Sequence, residues 1–302
     1  MYLDPRRLAV LLAVHRSGGI LAAAAELRLS ASAVSQQVAR LEAETKLRVL
    51  DRHPSGAVLT PAGRVLVAAA DRIEAELTDA RKKLAPMRGE ATGSVTVGAF
   101  PTIISGLLAG LAGQLTREAP GLEVQLRQVE GQPAQSELRR GRIDLLLTEA
   151  DGLIGQATPA GARDVIVMDE PWLVALPAHY PAPRTLTDLQ ALTWLGVDPD
   201  AAGHRVIEHV QSVLRARLSA VHQYDDYAVA LSLVAEGAGV ALLPALAVPP
   251  TLPPAVQVAR VPGLGTRQII ARHRSTGADP TPQTRAVLDR IIAAASGRPE
   301  SW

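Results

Sequence analysis

Residues 20–44 read ILAAAAELRLSASAVSQQVARLEAE, and this stretch decides the fold of the N-terminal part of the chain. The alanine-rich run 20–27 predicts a short helix, and Ser30 can cap a second helix over 31–44. In that second helix the apolar side chains recur at helical spacing and face inward, whereas the polar side chains face outward. Two short helices joined by a tight turn predict a helix-turn-helix unit.

The segments on either side complete this unit. Asp4 followed by Pro5 is typical of a helix N-terminus and predicts another short helix before the pair. Residues 49–59 predict a small hairpin, with Pro54-Ser55-Gly56 at its tip. We therefore predict that residues 1–60 form a winged helix-turn-helix, in which the third helix enters the DNA major groove.

The third helix and the hairpin carry side chains that can contact DNA. Glutamine can pair with adenine through two hydrogen bonds, and serine can reach bases or phosphates. Arginine beside such a helix is better placed to bind phosphates. The alternative is a plain three-helix bundle with a solvated polar face, and the residue types alone leave both interpretations open. The candidates are Ser35, Gln36 and Gln37 for bases, and Arg40, Arg48 and Arg52 for phosphates.

The composition supports contact with a polyanion and excludes several classes of site. Residues 1–64 contain nine Lys/Arg and five Asp/Glu, a net charge of +4, whereas the whole 302-residue chain is at +1. A basic head on a slightly acidic body favours a nucleic-acid partner. The absence of cysteine excludes disulfides, thiol nucleophiles and cysteine-ligated metals. No signal peptide and no membrane-spanning apolar run is recognised, so we expect a cytoplasmic protein.

Thr60-Pro61 predicts the start of a long helix that ends near residue 84. Along it the apolar side chains alternate in steps of four and three, as they do in the seam of a coiled coil. We predict a dimerisation helix, with residues 61–90 as linker and hinge. The alternative is one face of an ordinary amphipathic helix. The predicted seam consists of Leu66, Ala70, Ile73, Leu77, Ala80 and Leu84.

Beyond residue 90, short strands alternate with helices. This pattern predicts an α/β domain in which helices cover both faces of a sheet. Among the predicted strands are 94–99, 122–129, 143–147, 165–168 and 173–176.

Motifs spread over the chain resemble those of the bacterial LysR-type transcriptional regulators. In the head they are Ala22–Leu27, Ser32–Val38, Leu41-Glu42, Arg52 and Leu59–Gly63. Beyond the head the matching blocks are 97–102, 138–144, 171–177, 225–230 and 237–244. The resemblance covers essentially the whole chain in the family's order.

This resemblance implies an architecture and a set of partners. It implies a winged helix-turn-helix, a dimerising linker helix, and a two-lobed effector domain over 91–302 that is similar to type 2 periplasmic binding proteins. Lobe 1 would comprise about 91–162 and 266–302, and lobe 2 about 163–265. The implied partners are promoter double-stranded DNA, RNA polymerase, a small-molecule effector of unknown identity and further copies of the chain in a homodimer or homotetramer. No cofactor and no metal is expected, and the matching recognition-helix motif adds Ser32 and Ala33 to the DNA-binding candidates.

The predicted effector site lies at the ends of strands. Thr102 follows a strand and begins a helix, where backbone N–H groups favour anions and a hydroxyl adds a donor. An ordinary helix cap is the alternative for Thr102, and it is the favoured interpretation for Asp225. Asp198 and Asp200 are expected to be plain loop acids, and if they faced the cleft they would favour an amine-bearing ligand. The effector-binding candidates are Phe100, Pro101, Thr102, Gly131, Gln132, Asp225 and Tyr227.

Four positions depart from the family pattern: Lys46, Gly19, Leu21, and Leu50, which replaces the usual phenylalanine. Lys46 stands where glycine is usual after the recognition helix, so this lysine must accept strain or extend the helix. Gly19 stands near a position where a hydroxyl often caps the second helix and touches phosphate, which puts one phosphate contact in doubt.

Enzyme chemistry finds little support in the sequence. No phosphate-binding loop, dinucleotide fingerprint or nucleophile elbow is present. His204 and His209 are five residues apart and do not share a helix face as zinc ligands would. We therefore predict a regulator and not an enzyme; the alternatives are a ligand-independent architectural DNA-binding protein and a cytosolic enzyme with the binding-protein fold.

Overall fold

The computed structural model describes residues 3–53, 56–84, 93–119, 121–150, 158–159, 161–199, 201–275 and 280–298. The chain divides into two compact units. One comprises 1–90 with 136–142, and the other comprises 91–135 with 143–302.

The first unit begins with three helices, α1 (Pro5–Arg16), α2 (Ile20–Leu27) and α3 (Ala31–Thr45). They are followed by a hairpin of β1 (Leu50–His53) and β2 (Gly56–Leu59), whose strands pair antiparallel. The predicted caps are present, because the side chain of Asp4 accepts from Arg6 N at 2.9 Å and that of Ser30 accepts from Ala33 N at 3.1 Å. The fully buried Leu11 of α1, Ala23 of α2 and Leu41 of α3 belong to one hydrophobic core. The predicted winged helix-turn-helix fold is confirmed, although Pro54 and Ser55 at the predicted hairpin tip lie outside the described residues.

Lys46 ends α3 in the left-handed conformation, with φ 55° and ψ 27°. For a residue with a Cβ this conformation costs about 1–2 kcal/mol. The chain therefore accepts the strain that glycine would avoid. α2 has no side-chain cap, since Gly19 precedes it.

The long helix α4 (Pro61–Leu84) packs its first half against the head. A Cβ at Gly63 would lie 2.1 Å from the Val49 carbonyl oxygen, so only glycine allows this close approach. Arg16 Nη2 donates to Asp71 Oδ1 at 2.6 Å and to Glu74 Oε2 at 2.5 Å, which joins α1 to α4.

The apolar positions of α4 divide between two environments. Ala70, a predicted seam residue, is buried in the core of its own head. Leu66 and Ile73 are half-buried against the same core. Leu77 and Leu84 are 57% and 50% exposed.

The second unit contains nine further strands and six further helices among its described residues. They are, in chain order, β3 (Ser94–Ala99), α5 (Pro101–Ile103), α6 (Ala109–Glu118), β4 (Glu123–Gln128), α7 (Gly131–Arg139), β5 (Leu145–Glu149), β6 (Ala162–Pro177), β7 (Thr193–Val197), α8 (Ala202–Leu214), β8 (Ser219–Tyr224), α9 (Tyr227–Ala235), β9 (Ala241–Pro244), β10 (Val256–Ala259), β11 (Thr266–Arg274) and α10 (Pro282–Ser296). A π-helical turn (Ile104–Leu108) joins α5 to α6, and short 3-10 helices occupy Leu186–Ala191 and Ala245–Ala247. The last residues of α7 are grouped with the first unit by their contacts.

One sheet runs through the second unit in the strand order β10-β6-β11-β5-β3-β4, and β9 also pairs with β6. β3 pairs parallel with β4 and with β5, whereas β11 pairs antiparallel with β5 and β6. β7 and β8 form a separate parallel pair. This mixed sheet with its helices confirms the predicted α/β class.

The single strand β6 connects two lobes. Its first part, 162–171, pairs with β11, and its last part, 172–177, pairs with β9 and β10. Separate hydrophobic cores lie on the two sides of this change, one around Val97 and Leu147 and another around Trp194 and Leu242. The prediction of two separate strands at 165–168 and 173–176 is therefore wrong, and β8 and β10 were not predicted.

No single helix among the described residues is long and apolar enough to cross a membrane; α1 and α2 meet those criteria only as a pair bent by 119°.

Candidate DNA-binding helix and candidate effector cleft

The outer face of α3 is open to solvent. Ser32, Gln36 and Arg40 are exposed and follow one another at steps of four residues, so they share one face of the helix. Half-buried Ala33, Ser35 and Gln37 border this face. The inward-facing residues of the same helix belong to the hydrophobic core of the head. The polar face of α3 is therefore anchored by its buried opposite face.

Two of the predicted phosphate-binding arginines lie in or beside the hairpin that follows α3. The Arg48 side chain is exposed, and its carbonyl oxygen accepts a 2.7 Å hydrogen bond from Thr60 Oγ1. Thr60 Oγ1 also accepts from Gly63 N at 3.0 Å, which holds the end of the hairpin against the start of α4. Arg52 lies in β1 opposite Ala57, and its side chain lies outside the described residues.

A buried arginine occupies the point in the second unit where the lobes meet. Arg267 lies at the start of β11, directly opposite Glu170 of β6, and is only 3% exposed. Its Nε donates to Glu170 Oε2 at 2.7 Å, its Nη1 donates to Glu149 Oε1, and its Nη2 donates to Thr102 Oγ1 at 2.9 Å. We call Thr102, Glu149, Glu170 and Arg267 the Arg267 cluster.

The topology of the sheet brings the cluster together. Thr102 follows β3 and Glu149 is the last residue of β5, and parallel strands present their carboxyl ends at the same edge of a sheet. In open α/β sheets ligands bind outside these carboxyl ends. Glu170 is fully buried, and its Oε1 accepts from Leu246 N at 2.6 Å in the 3-10 helix that follows β9. Glu170 thus connects β11 to the 3-10 helix between β9 and β10.

Aromatic rings surround the guanidinium. Arg267 Cζ lies 4.9 Å from the centroid of the Phe100 ring and 5.5 Å from that of Trp172. These are cation–π distances. Tyr227, the first residue of α9, is half-buried beside these charges.

Burial and charge shift the pKa values in this region in different directions. Burial raises the pKa of the Glu149 carboxyl, and the neighbouring Arg267 opposes the shift. Burial acts to lower the pKa of Arg267, but Glu170 and Glu149 outweigh it and the net shift is upward. Burial is the main reason why the pKa of Tyr227 is raised to about 12. Arg267 therefore stays charged, and Tyr227 stays protonated at neutral pH.

Two parts of the chain match models of known protein families. Residues 5–64 match the family described as "Bacterial regulatory helix-turn-helix protein, lysR family", and residues 88–296 match the LysR substrate binding domain. The chain belongs to the LysR family.

This LysR-family protein is 29% identical over 200 residues to the HTH-type transcriptional activator AaeR of Escherichia coli K12. Those residues are 65% of this chain and 62% of AaeR, so the match spans less than two thirds of that relative. A full-length OxyR variant from Pseudomonas aeruginosa superposes with a TM-score of 0.62 at 22% identity, over 97% of this chain and 98% of that one. Full-length CbnR in complex with its target DNA superposes with a TM-score of 0.54 at 24% identity, over 97% and 100% of the two chains. These likenesses establish a shared fold.

The predicted effector residues of this LysR-family protein fall into two groups. Thr102 belongs to the Arg267 cluster, and Phe100 lies against its guanidinium. The charges of the cluster contribute to the pKa shift of Tyr227. Pro101, Gly131, Gln132 and Asp225 are exposed and make none of the hydrogen bonds of the cluster. Asp226, not Asp225, caps α9, since its Oδ1 accepts from Ala228 N at 2.6 Å and from Val229 N at 3.2 Å.

The two remaining acids behave differently. Asp198 is half-buried in the loop after β7. Asp200 lies outside the described residues. No group of three or more metal-binding side chains occurs in the described part of the chain.

Sequence reasoning missed Arg267, Glu149 and Glu170. A signal for them was present, because each is an ionisable residue that begins, ends or interrupts an otherwise apolar strand segment, as in LLLTE, DEPWLVALP and TRQIIA. Buried charges of this kind are almost always paired, so each one predicts an unseen partner.

Proposed function

We propose that this protein is a sequence-specific DNA-binding transcriptional regulator whose binding to a promoter responds to a small molecule in its second unit. The observation that carries the proposal is the exposed polar face of α3 on a basic head, within the residues that match the LysR-family helix-turn-helix. A helix of this kind inserts its N-terminal part into the major groove.

The side chains of α3 divide into base readers and phosphate binders. Gln36 is exposed and pairs with an adenine in this proposal, with Ser32, Ala33, Ser35 and Gln37 as its neighbours at the bases. Arg40, Arg48 and Arg52 bind phosphates and fix the register of the head on the duplex.

The second half of α4 supplies the dimer contact in this proposal. Leu77 and Leu84 are exposed apolar residues, and half-buried Leu66 and Ile73 continue their stripe toward the head. Ala70 faces its own head, and half-buried Ala69 takes the place of Ala70 in the stripe. Two copies joined in this way present two heads to a palindromic site, and two dimers form a tetramer.

The second unit acts as the sensor. Phe100, Thr102 and Tyr227 border the Arg267 cluster where the two lobes meet, so a ligand bound there contacts both lobes. A ligand shifts the arrangement of the lobes only by the difference of its affinities for the two arrangements. That shift changes how the heads meet DNA and how RNA polymerase is engaged.

A binding titration tests this function. Purified protein is titrated against the DNA upstream of its own gene and against a scrambled duplex of equal length, at two salt concentrations, and fluorescence anisotropy is recorded. A preference of about a thousandfold or more establishes a sequence-specific regulator. Equal and steeply salt-dependent affinities would instead establish a ligand-independent architectural protein. Absence of binding to both duplexes would overturn the proposal.

A further inference from the structure

The Arg267 cluster has more negative than positive charge. It contains two carboxylates, of Glu149 and Glu170, and one guanidinium. Three of the five N–H groups of that guanidinium already donate hydrogen bonds within the cluster. Arg267 is only 3% exposed, and an anionic ligand beside it would add a third negative charge next to the two carboxylates.

Glu149 is the member of the cluster that can take another partner. Glu170 uses both carboxylate oxygens, one for Arg267 and one for Leu246 N. Glu149 uses Oε1 for Arg267, and its Oε2 has no hydrogen-bond partner among the described residues. The Glu149 side chain is 16% exposed, whereas that of Glu170 is 0% exposed. A ligand can therefore reach Glu149 Oε2.

The neighbouring groups also favour a cation at this oxygen. Burial without a second partner already makes the charged form of Glu149 costly. Glu130 adds negative potential near Tyr227, whereas Arg205 on α8 adds a positive contribution at Glu149 and Arg298 adds one at Glu170. Phe100 packs on the guanidinium that binds Glu149, and Tyr227 interacts electrostatically with Glu149, so both rings offer apolar surface near this carboxylate.

We propose that the effector of this protein carries a protonated primary amine, which donates to Glu149 Oε2, next to an apolar or aromatic body that packs on Phe100 and Tyr227. The proposal rests on the proposed function, because it names the ligand class of the same cleft. The bound amine gives the Glu149 carboxylate a hydrogen-bond partner for its second oxygen. It also leaves the hydrogen bonds of Arg267 to Thr102 and Glu170 intact.

The test compares three probes that differ in charge and share one ring. The full chain is titrated calorimetrically with phenethylamine, 2-phenylethanol and phenylacetate at neutral pH. We expect phenethylamine to bind at least about tenfold more tightly than either of the others, as a charge-assisted hydrogen bond in a partly buried site allows. Tighter binding of phenylacetate, or no binding of phenethylamine at millimolar concentration, overturns the proposal.

A matched pair of variants locates the contact. Glu149→Gln keeps the shape of the side chain and removes its charge, and it should weaken phenethylamine about tenfold or more. Glu236→Gln makes the same change at the exposed residue that directly follows α9, and it should leave the affinity unchanged. Equal affinities in Glu149→Gln and the parent chain overturn the assignment of Glu149. If Glu149→Gln does not fold, the three probes on the parent chain still decide the ligand class.

The two proposals fail separately. Specific DNA binding without ligand tests the regulator, and amine selectivity in calorimetry tests the cleft. If the chain selects the amine but does not bind DNA specifically, it is an amine-binding protein of the same fold. If it binds DNA specifically but does not select the amine, it is a regulator with a different effector.

Discussion

Arg267 and Glu170 face each other across β11 and β6, and Arg267 Nε donates a 2.7 Å hydrogen bond to Glu170 Oε2. The pair lies where β6 exchanges its partner β11 for β9 and β10. Both side chains are almost fully buried, so water cannot replace either partner of this charge pair.

Arg267→Met should lower the free energy of unfolding of the second unit by about 3–5 kcal/mol, because it leaves the buried Glu170 without its counter-charge. Arg290→Met is the control. Arg290 pairs with Glu118 on the surface, where both side chains are about half exposed, and its loss should cost less than about 1 kcal/mol. Urea unfolding followed by circular dichroism measures both losses, and similar losses in the two variants would contradict the assignment.

The pKa of Glu149 is raised by burial, with Arg267 opposing the shift, so the folded protein holds this proton more tightly than the unfolded chain does. The stability of the parent chain relative to Glu149→Gln should therefore increase as the pH falls from neutral toward the ordinary value of 4.5. Unfolding free energies of both proteins along this pH range give the difference. If the difference in unfolding free energy between the parent and Glu149→Gln decreased with falling pH, the pKa of Glu149 would be lowered in the folded protein.

Lys46→Gly should stabilise the head by about 1 kcal/mol, because glycine adopts the left-handed conformation at the end of α3 without steric cost. Ala43→Gly, at an exposed position inside the same helix, should instead destabilise it by about 1 kcal/mol. Thermal unfolding of the full chain measures both changes. If both variants changed the stability in the same direction, relief of strain at residue 46 would be excluded as the cause.

Gln36→Ala should cost about 1–3 kcal/mol on the specific site and little on random DNA, because it removes a base contact. Arg52→Ala should weaken binding to all sequences alike and reduce the salt dependence, because it removes a phosphate contact. Anisotropy titrations on specific and scrambled duplexes distinguish the two. Equal losses of Gln36→Ala on both duplexes would remove Gln36 from the base-reading set.

Leu77→Glu should dissociate the dimer, because it places a charge on the exposed apolar stripe of α4. Ala68→Glu places the same charge at an exposed position on another side of α4 and should leave the dimer intact. Sedimentation velocity reports the mass of each variant. Dimers of unchanged stability in Leu77→Glu would mean that this stripe does not join the copies.

Several features of this protein follow from residues close together in the chain, and the sequence predicted them. The caps at Asp4 and Ser30 involve groups two or three residues away. The strain at Lys46 depends on the end of one helix. Such features are local because contacts between residues two or three positions apart form wherever the helix packs in the fold.

The heptad spacing of α4 predicted an apolar stripe but not what covers it. The spacing is the same whether the partner is the head of the same chain or a second copy. Only packing revealed that Ala70 belongs to its own head and that Leu77 and Leu84 stay exposed.

The sequence by itself determined the helix-turn-helix, the long helix after it, the α/β class of the remainder and, through its motifs, the LysR-family membership. The tertiary structure alone decided the Arg267 cluster, whose partners lie 97, 118 and 165 residues from Arg267 along the chain. Those contacts depend on which strands become neighbours in the sheet. The order of strands is set by packing of the whole domain, and no local pattern around Arg267, Glu149 or Glu170 contains it.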